Sequence, residues 1–489
     1  MKKHAIKISI LLICSVFYLI GCSSDDNTVE GEEPTPTLSP DTQNIVINVD
    51  DYQHQFLGGG VSIGLFLGHH YSMGAAAQDK AIQYMAKDCN MQYFQDYIEI
   101  YPSDNPDYFD RRADYVKAAK AYQPDLKFSL VGNKFPVNLM RDQVVGSETL
   151  KVLDTQDSEI YTKLADWWFK LFKGFHDRGV NTEILNVVNE PDLNRTFRKY
   201  HYGLDGDTKE AVSQVFKKSV PIFLNMFDDG TINTTGMAKP LIMGPSTISP
   251  VGCLEYMDYF KSNHSDVWEL IDIVATHQYE NGARDDLFNR IKNESDGKLI
   301  YQSETHALRG DELNFGSILI SRDLEATLSL ANLFTTAINN GVSSWFYFEN
   351  NYPNVVVDPG GLLSIPWAAS EPVPYKHYYA FKQLTSAQPS SSHVLSYTSN
   401  NSNQTDIIVF RKQDENAVYL HYSNYGVKTK ELTISLSGNE TLTSYTVTTT
   451  DDKQNEVITS SGDISSQESN LKLEIGGLSV NTIKISFTN

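Results

Sequence analysis

The sequence predicts a (β/α)8 barrel followed by an all-β sandwich. Three features point there. Between residues 51 and 388, short apolar runs alternate with amphipathic stretches, as strands and helices do in an α/β barrel. From residue 389 the amphipathic stretches stop, and short alternating strands follow, separated by polar turns containing Gly and Ser. Two of the apolar runs, Ile184-Leu185-Asn186-Val187-Val188 and Leu299-Ile300-Tyr301, each end in a single glutamate, Glu190 and Glu304.

The chain opens with Lys2, Lys3 and Lys7 ahead of an apolar run over 8–20. That run is too short to span a bilayer comfortably and reads as a signal peptide covering 1–21. Leu19-Ile20-Gly21-Cys22 resembles the bacterial lipobox, which implies cleavage and lipidation of Cys22. The acidic Ser23-Ser24-Asp25-Asp26-Asn27 is similar to the surface-export signal of Bacteroidetes-type lipoproteins. The expected location is therefore the outer membrane, facing outward, with the lipid as the only membrane contact. Residues 22–43, with Pro34, Pro36 and Pro40, read as a flexible acidic tether. Residues 44–50 alternate as a strand, which is expected to join the distant sandwich.

The barrel then begins with Phe56-Leu57-Gly58-Gly59-Gly60-Val61-Ser62-Ile63-Gly64. This run lacks the Lys-Ser/Thr of a phosphate loop and reads as the first strand. Helices are expected over 75–89, 108–122, 158–179, 209–227, 254–271, 285–292 and 375–386, with one more starting at Ser321 and stopping at Asn340-Gly341. In the third, Leu164, Trp168, Leu171, Phe172 and Phe175 form one stripe, a core face rather than a sugar platform. Strands are expected over 91–100, 127–132, 184–188, 240–248, 273–279, 298–304 and 342–350, which completes eight. Strands at 407–410, 418–422, 432–436, 471–475 and 483–487 form the sandwich over 389–489.

Pro191 should stop the fourth barrel strand, leaving Glu190 at its tip. Glu304 sits likewise on the seventh. Two carboxylates facing each other across a barrel mouth suit glycoside hydrolysis: one protonates the leaving oxygen, and the other attacks or activates water. Asn189-Glu190 resembles the Asn-Glu signature of the clan A glycoside hydrolases, which are TIM barrels. The resemblance implies that Glu190 is the acid/base and Glu304 the nucleophile. His277 and Tyr279 match the clan's His-x-Tyr pattern, with Tyr279 bonded to the nucleophile. Asn189 would contact the 2-hydroxyl of the attacked sugar, and Trp345 would be the sugar platform on strand eight.

Within the clan the chain looks like glycoside hydrolase family 30 over most of 44–489. The matching stretches are INVDDYQHQFLGGGVS, KFSLVGNKFPVNLMRD, YKHYYAFKQLTSAQPS and GGLSVNTIKISF. It departs from that pattern at Asn133 and Asn138, which fall where tryptophans are usual, at Leu57 in place of Phe, and in a second strand without its usual Arg. Asp96, Glu99, His69, His70, Arg309, Glu349 and Asn350 lie near strand ends and are further candidates to line subsites.

A formal net charge of −21, or −24 once the three leader lysines are removed, disfavours nucleic acid and anionic membrane surfaces as partners. Of four cysteines, Cys14 leaves with the leader and Cys22 takes lipid. Cys89 and Cys253 read as buried thiols, and no metal-ligand spacing is present. No cofactor or metal is implied. The expectation is a monomeric, retaining β-glycanase acting on a neutral polysaccharide such as β-glucan or xylan. A catalytically inactive glycan-binding lipoprotein and a clan A galactan hydrolase of the agarase or porphyranase type are the alternatives.

Overall fold

Eight parallel strands close into the barrel that the alternation predicts. A computed structural model describes residues 41–488 except 65–66, 99–105, 146–147, 194–199, 202–207, 281–282, 308–319, 353–359, 401–405 and 466–467. The leader, Cys22, Glu99 and Arg309 lie outside the described residues.

The chain enters through β1 (Asp41–Gln55), then reaches the barrel strands β2 (Gly58–Ser62), β3 (Tyr93–Ile98) and β4 (Lys127–Gly132). A hairpin follows, β5 (Met140–Val145) and β6 (Glu148–Leu153). Then come β7 (Ile184–Asn186), the short β8 (Tyr200–His201), β9 (Leu241–Thr247), β10 (Ile273–His277), β11 (Leu299–Glu304) and β12 (Ser344–Tyr347). The barrel runs β2-β3-β4-β7-β9-β10-β11-β12 and closes on β2. A small sheet in the last loop holds β13 (Asn351–Tyr352), β14 (Leu363–Ser364) and β15 (Val373–Pro374). Around the barrel lie α1 (Leu67–Ser72), α2 (Ala75–Ile82), α3 (Pro106–Tyr122), α4 (Ile160–His176) and α5 (Thr208–Asp228), followed by α6 (Pro250–Asn263), α7 (Ser265–Leu270), α8 (Asp285–Glu294), α9 (Arg322–Asn339) and α10 (Lys376–Ser386). Among the described residues, no helix is long and apolar enough to cross a membrane.

Packing inside the barrel explains its opening glycines. Tyr93, Ile184, Met243, Ile273, Ala275, Tyr301 and Phe346 fill the lower interior. A Cβ on Gly60 would stand 2.4 Å from the Phe346 ring, so β2 must be bare there for β12 to fit beside it. The helix predicted over 254–271 is two helices. The chain breaks at His264, whose backbone is non-helical (φ −145°) and whose ring meets Glu210 at 2.7 Å. The 75–89 helix ends in a π-turn, Gln83–Asp88.

The remaining strands are β16 (His393–Ser399), β17 (Ile407–Arg411), β18 (Ala417–Asn424), β19 (Lys430–Leu436), β20 (Thr441–Thr450), β21 (Val457–Asp463), β22 (Leu471–Ile475) and β23 (Ser479–Thr488). With β1 they form one nine-stranded ladder, β21-β20-β23-β18-β17-β16-β1-β19-β22. Leu432 and Ile434 near one end share a core with Val447 and Ile483 near the other, so the ladder folds over on itself. As predicted, the N-terminal strand joins this sheet; it lies antiparallel to β16 and parallel to β19. The sheet is joined to the barrel by a common core. Ile408, Phe410 and Tyr419 belong to the same buried cluster as the barrel helices. The Phe410 ring lies tilted against Phe56 with centroids 5.4 Å apart, and Phe56 meets Phe334 of α9 edge-on at 5.6 Å.

Candidate active site

Past the tip of β7, Glu190 turns out of the strand with a left-handed backbone (φ 47°). Its N–H donates to the carbonyl of Ser246 at 2.8 Å, and Ser246 is itself left-handed (φ 55°). Non-glycine residues in that region cost on the order of 1–3 kcal/mol each. Here two neighbouring strand tips hold each other in it. Asp192, two residues on and largely buried, braces the pair from behind by accepting the N–H of Ile248 at 2.9 Å. Its other oxygen lies against Gly252, where a Cβ would come within 2.0 Å of it. Burial lifts the Asp192 carboxyl to about 6.

The register of β10 on β11 sets His277 opposite Glu304. Nδ1 of His277 lies 3.2 Å from Glu190 Oε1, and Nε2 lies 3.2 Å from Ser246 Oγ and 3.9 Å from Glu304 Oε2. The Tyr279 hydroxyl donates to Glu304 Oε1 at 2.8 Å. A second hydroxyl, that of Tyr97 on β3, donates to Glu304 Oε2. Ligating atoms of Glu190, His277 and Glu304 all fall within 4.8 Å of one another, and both carboxylates are at most 7% exposed. That spacing would also suit a cation, but the His277 ring already lies between the carboxylates.

The electrostatics follow from burial. Removal from water raises the Glu304 carboxyl above its ordinary value; His277 opposes this, Glu190 adds to it, and the two tyrosine hydroxyls oppose it. Burial disfavours the His277 cation, yet Glu304 and Glu190 outweigh it and raise the ring. Tyr97 and Tyr279 are pushed well above the usual phenol value, by burial first and then by Glu304, so both remain donors.

Glu190, Glu304, His277 and Tyr279 therefore meet as the sequence suggests. Asn189 is buried beside them, its amide 3.4 Å from Asn133 Oδ1. Trp345 does not reach the mouth. It is fully buried on the outer side of the barrel, its indole N–H donating to Gln278 at 2.7 Å and its ring packed on Phe334 and Phe381. Strand alternation sends Phe346 inward instead. Phe348, three residues beyond Trp345 and partly exposed, is the aromatic at the site, with its ring 5.7 Å from that of Tyr97. Several of the further candidates are internal. Asp96 pairs with Arg112 at 2.5 Å, Asn350 donates to the Tyr115 hydroxyl at 2.8 Å, His70 packs on Tyr115, and Glu349 is fully buried.

Sequence reading missed Tyr97, because a tyrosine in an apolar strand reads as core. The signal was parity: Tyr93, Gln95 and Tyr97 point the same way, and the last stands near the tip of a strand that lacks the arginine the resemblance leads one to expect. With a neutral donor there, Tyr97 supports Glu304 by a hydrogen bond that adds to the attraction of His277. Tyr97→Phe should shift the acidic limb of kcat/KM to higher pH and cost about 10- to 100-fold in rate below it, since a hydrogen bond to an ionised group contributes ~1.5–3 kcal/mol. An unmoved limb would show that Tyr97 does not tune Glu304.

A (β/α)8 barrel with a β-sheet domain attached is a fold found among clan A glycoside hydrolases. The chain has the fold of glycoside hydrolase family 30. It superposes on a family 30 endoxylanase from Clostridium papyrosolvens C71 with a TM-score of 0.68 at 15% identity, covering 91% of this chain and 100% of that one. An endo-β1,6-glucanase gives 0.64 at 15% identity, covering 90% and 93%. A conserved exported protein from Bacteroides fragilis gives 0.70 at 13% identity, covering 90% and 99%. Compared by sequence, the chain matches no protein-family profile and no curated protein.

Proposed function

We propose that this chain is a retaining glycoside hydrolase that cuts β-glycosidic bonds within a polysaccharide. The observation that carries this is the carboxylate pair: oxygens of Glu190 and Glu304 lie within 4.8 Å. Retaining enzymes hold their carboxyls ~5–5.5 Å apart, whereas inverting ones need ~6.5–9.5 Å to admit a water. The hydrogen bonds divide the roles. Two tyrosine hydroxyls donate to Glu304, as suits a carboxylate nucleophile, while Glu190 bonds His277 and is left the acid/base role. Glu304 attacks the anomeric carbon while Glu190 protonates the departing oxygen. Glu190, now a base, takes a proton from water, which releases the sugar from Glu304. Asn189 bonds the 2-hydroxyl, and Phe348 offers its ring to the sugar.

β-Glucan and xylan are the substrates to try first, in keeping with the endoxylanase and endo-β1,6-glucanase of like fold. The leader and lipobox support a location on the outer membrane, with lipid on Cys22 as the anchor. An intact, hydrogen-bonded pair speaks against an inactive binding protein. The test is digestion of β-glucans, xylans, mannans and galactans, with the anomeric configuration of new ends followed by NMR. Retained configuration is expected. Inversion, or failure to cut any of the panel, would overturn the proposal.

A further inference from the structure

Four of the five tryptophans are buried: Trp167, Trp168, Trp268 and Trp345 are at most 6% exposed. Trp367 is 70% exposed, and no other aromatic ring appears among the large exposed hydrophobic side chains of the described residues. An indole left in water forgoes the burial its apolar face would favour, and here the segment that carries it is tied down by hydrogen bonds. The N–H of Ala368 donates to Ser72 Oγ at 2.7 Å, and that hydroxyl donates to the carbonyl of His69 at 2.7 Å. The His69 ring stands edge-on to the indole, centroids 5.5 Å apart at 86°. Gly68 lies under the ring's rim, where even a Cβ would only just touch it, at 3.9 Å. One side of the indole is thus propped from α1, and the rest faces solvent.

Its place in the topology connects it with the mouth. α1 lies in the segment that leaves the C-terminal end of β2, and Trp367 lies in the segment that leaves the C-terminal end of β12. These are adjacent βα connections, on the side where barrel enzymes carry their sites. Phe348 begins the second connection. From there the chain passes through β13 to β14, which pairs with it, and Trp367 follows three residues after Ser364. Extended-chain limits keep Trp367 within roughly 30 Å of Phe348. An oligosaccharide can bridge that span.

We propose that Trp367 is the floor of an outlying subsite, stacking on the C–H face of one pyranose ring of a polysaccharide that extends past the carboxylate pair. This rests on the glycanase reading above. An aromatic face suits a sugar because the axial C–H bonds of a pyranose present an apolar, slightly positive surface to the negative π-face. Such a subsite binds ground and transition states alike, so it acts on KM and only for chains long enough to reach it.

The experiment compares wild type, Trp367→Ala and Trp367→Tyr on a long polymer and on a short oligosaccharide of the same sugar. Retardation in native gels containing each polymer of the panel is measured alongside. The exposed position lets the fold tolerate both substitutions, and thermal melts check it. Trp367→Ala should raise the polymer-to-oligomer KM ratio about 10-fold, and Trp367→Tyr should restore it. An unchanged ratio with active enzyme overturns the subsite and leaves the glycanase reading standing. An equal loss on both substrates also overturns it, because the ring would then act through the fold. Trp367-dependent retardation without any hydrolysis supports the subsite and overturns the glycanase reading. Neither hydrolysis nor retardation overturns both.

Discussion

Glu304→Ala is expected to cut turnover about ten-thousand-fold or more, and azide should restore part of it with an inverted product. The removed carboxylate leaves a buried space lined by the Tyr97 and Tyr279 hydroxyls and the His277 ring, whose N–H and O–H groups suit an anion. Azide there attacks the anomeric carbon once, from the face Glu304 used, and gives the inverted glycosyl azide. Glu190→Ala should behave differently. With a leaving group that needs no proton, Glu304 still forms the glycosyl-enzyme, and azide then displaces Glu304 to give the retained azide. If the two variants show the opposite pairing of stereochemistry, the roles are exchanged. Undiminished turnover in either would mean that the pair is not the catalytic one.

The second large effect concerns the seam between barrel and sheet. Phe410 of β17 is fully buried against Phe56, which in turn meets Phe334 of α9. Around it Asn339 donates to the Ile407 carbonyl at 2.8 Å, His421 meets Gln388 at 2.9 Å, and Lys376 reaches the Asp451 carbonyl at 2.6 Å. Phe410→Ala should cost ~3–5 kcal/mol. Spread over the compact unit Pro40–Asn489, with an unfolding entropy of ~2.1 cal/mol/K per residue, that lowers Tm by roughly 3–5 °C. Calorimetry should still show one transition, because both sides lose the same core. Two separated transitions would show that barrel and sheet unfold independently.

The barrel was legible because period-2 and period-3.6 patterns alternate cleanly, and the glutamates were legible because each closes an apolar run. The misplacement of Trp345 has a simple cause. Ser344-Trp345-Phe346-Tyr347-Phe348 is aromatic at four consecutive positions, so no polar residue marks which parity faces inward. Only the fit of Phe346 over Gly60 decides it. The β5–β6 hairpin was invisible for a different reason: Arg141, Asp142, Gln143, Glu148 and Lys151 leave it little apolar alternation to detect. Asp192 reads as an ordinary residue after a proline. Its importance lies in Ile248 and Gly252, which meet it only once the strand tips are side by side.

The position of β1 constrains the order in which the molecule can assemble. Ile45 pairs with Ser399 and Ile434, so the first strand of the described residues is an interior strand of a sheet whose other members are made last. The whole barrel is an insertion between them. Closing so long a loop costs conformational entropy before any ladder bond is gained. Until β16 and β19 emerge, β1 presents two unpaired edges with Ile45, Ile47 and Val49 uncovered. The early barrel segments can collapse locally in the meantime. Completion of the sheet is thus a late event, and the nascent chain must keep its first strand from pairing with another copy until its last strands arrive.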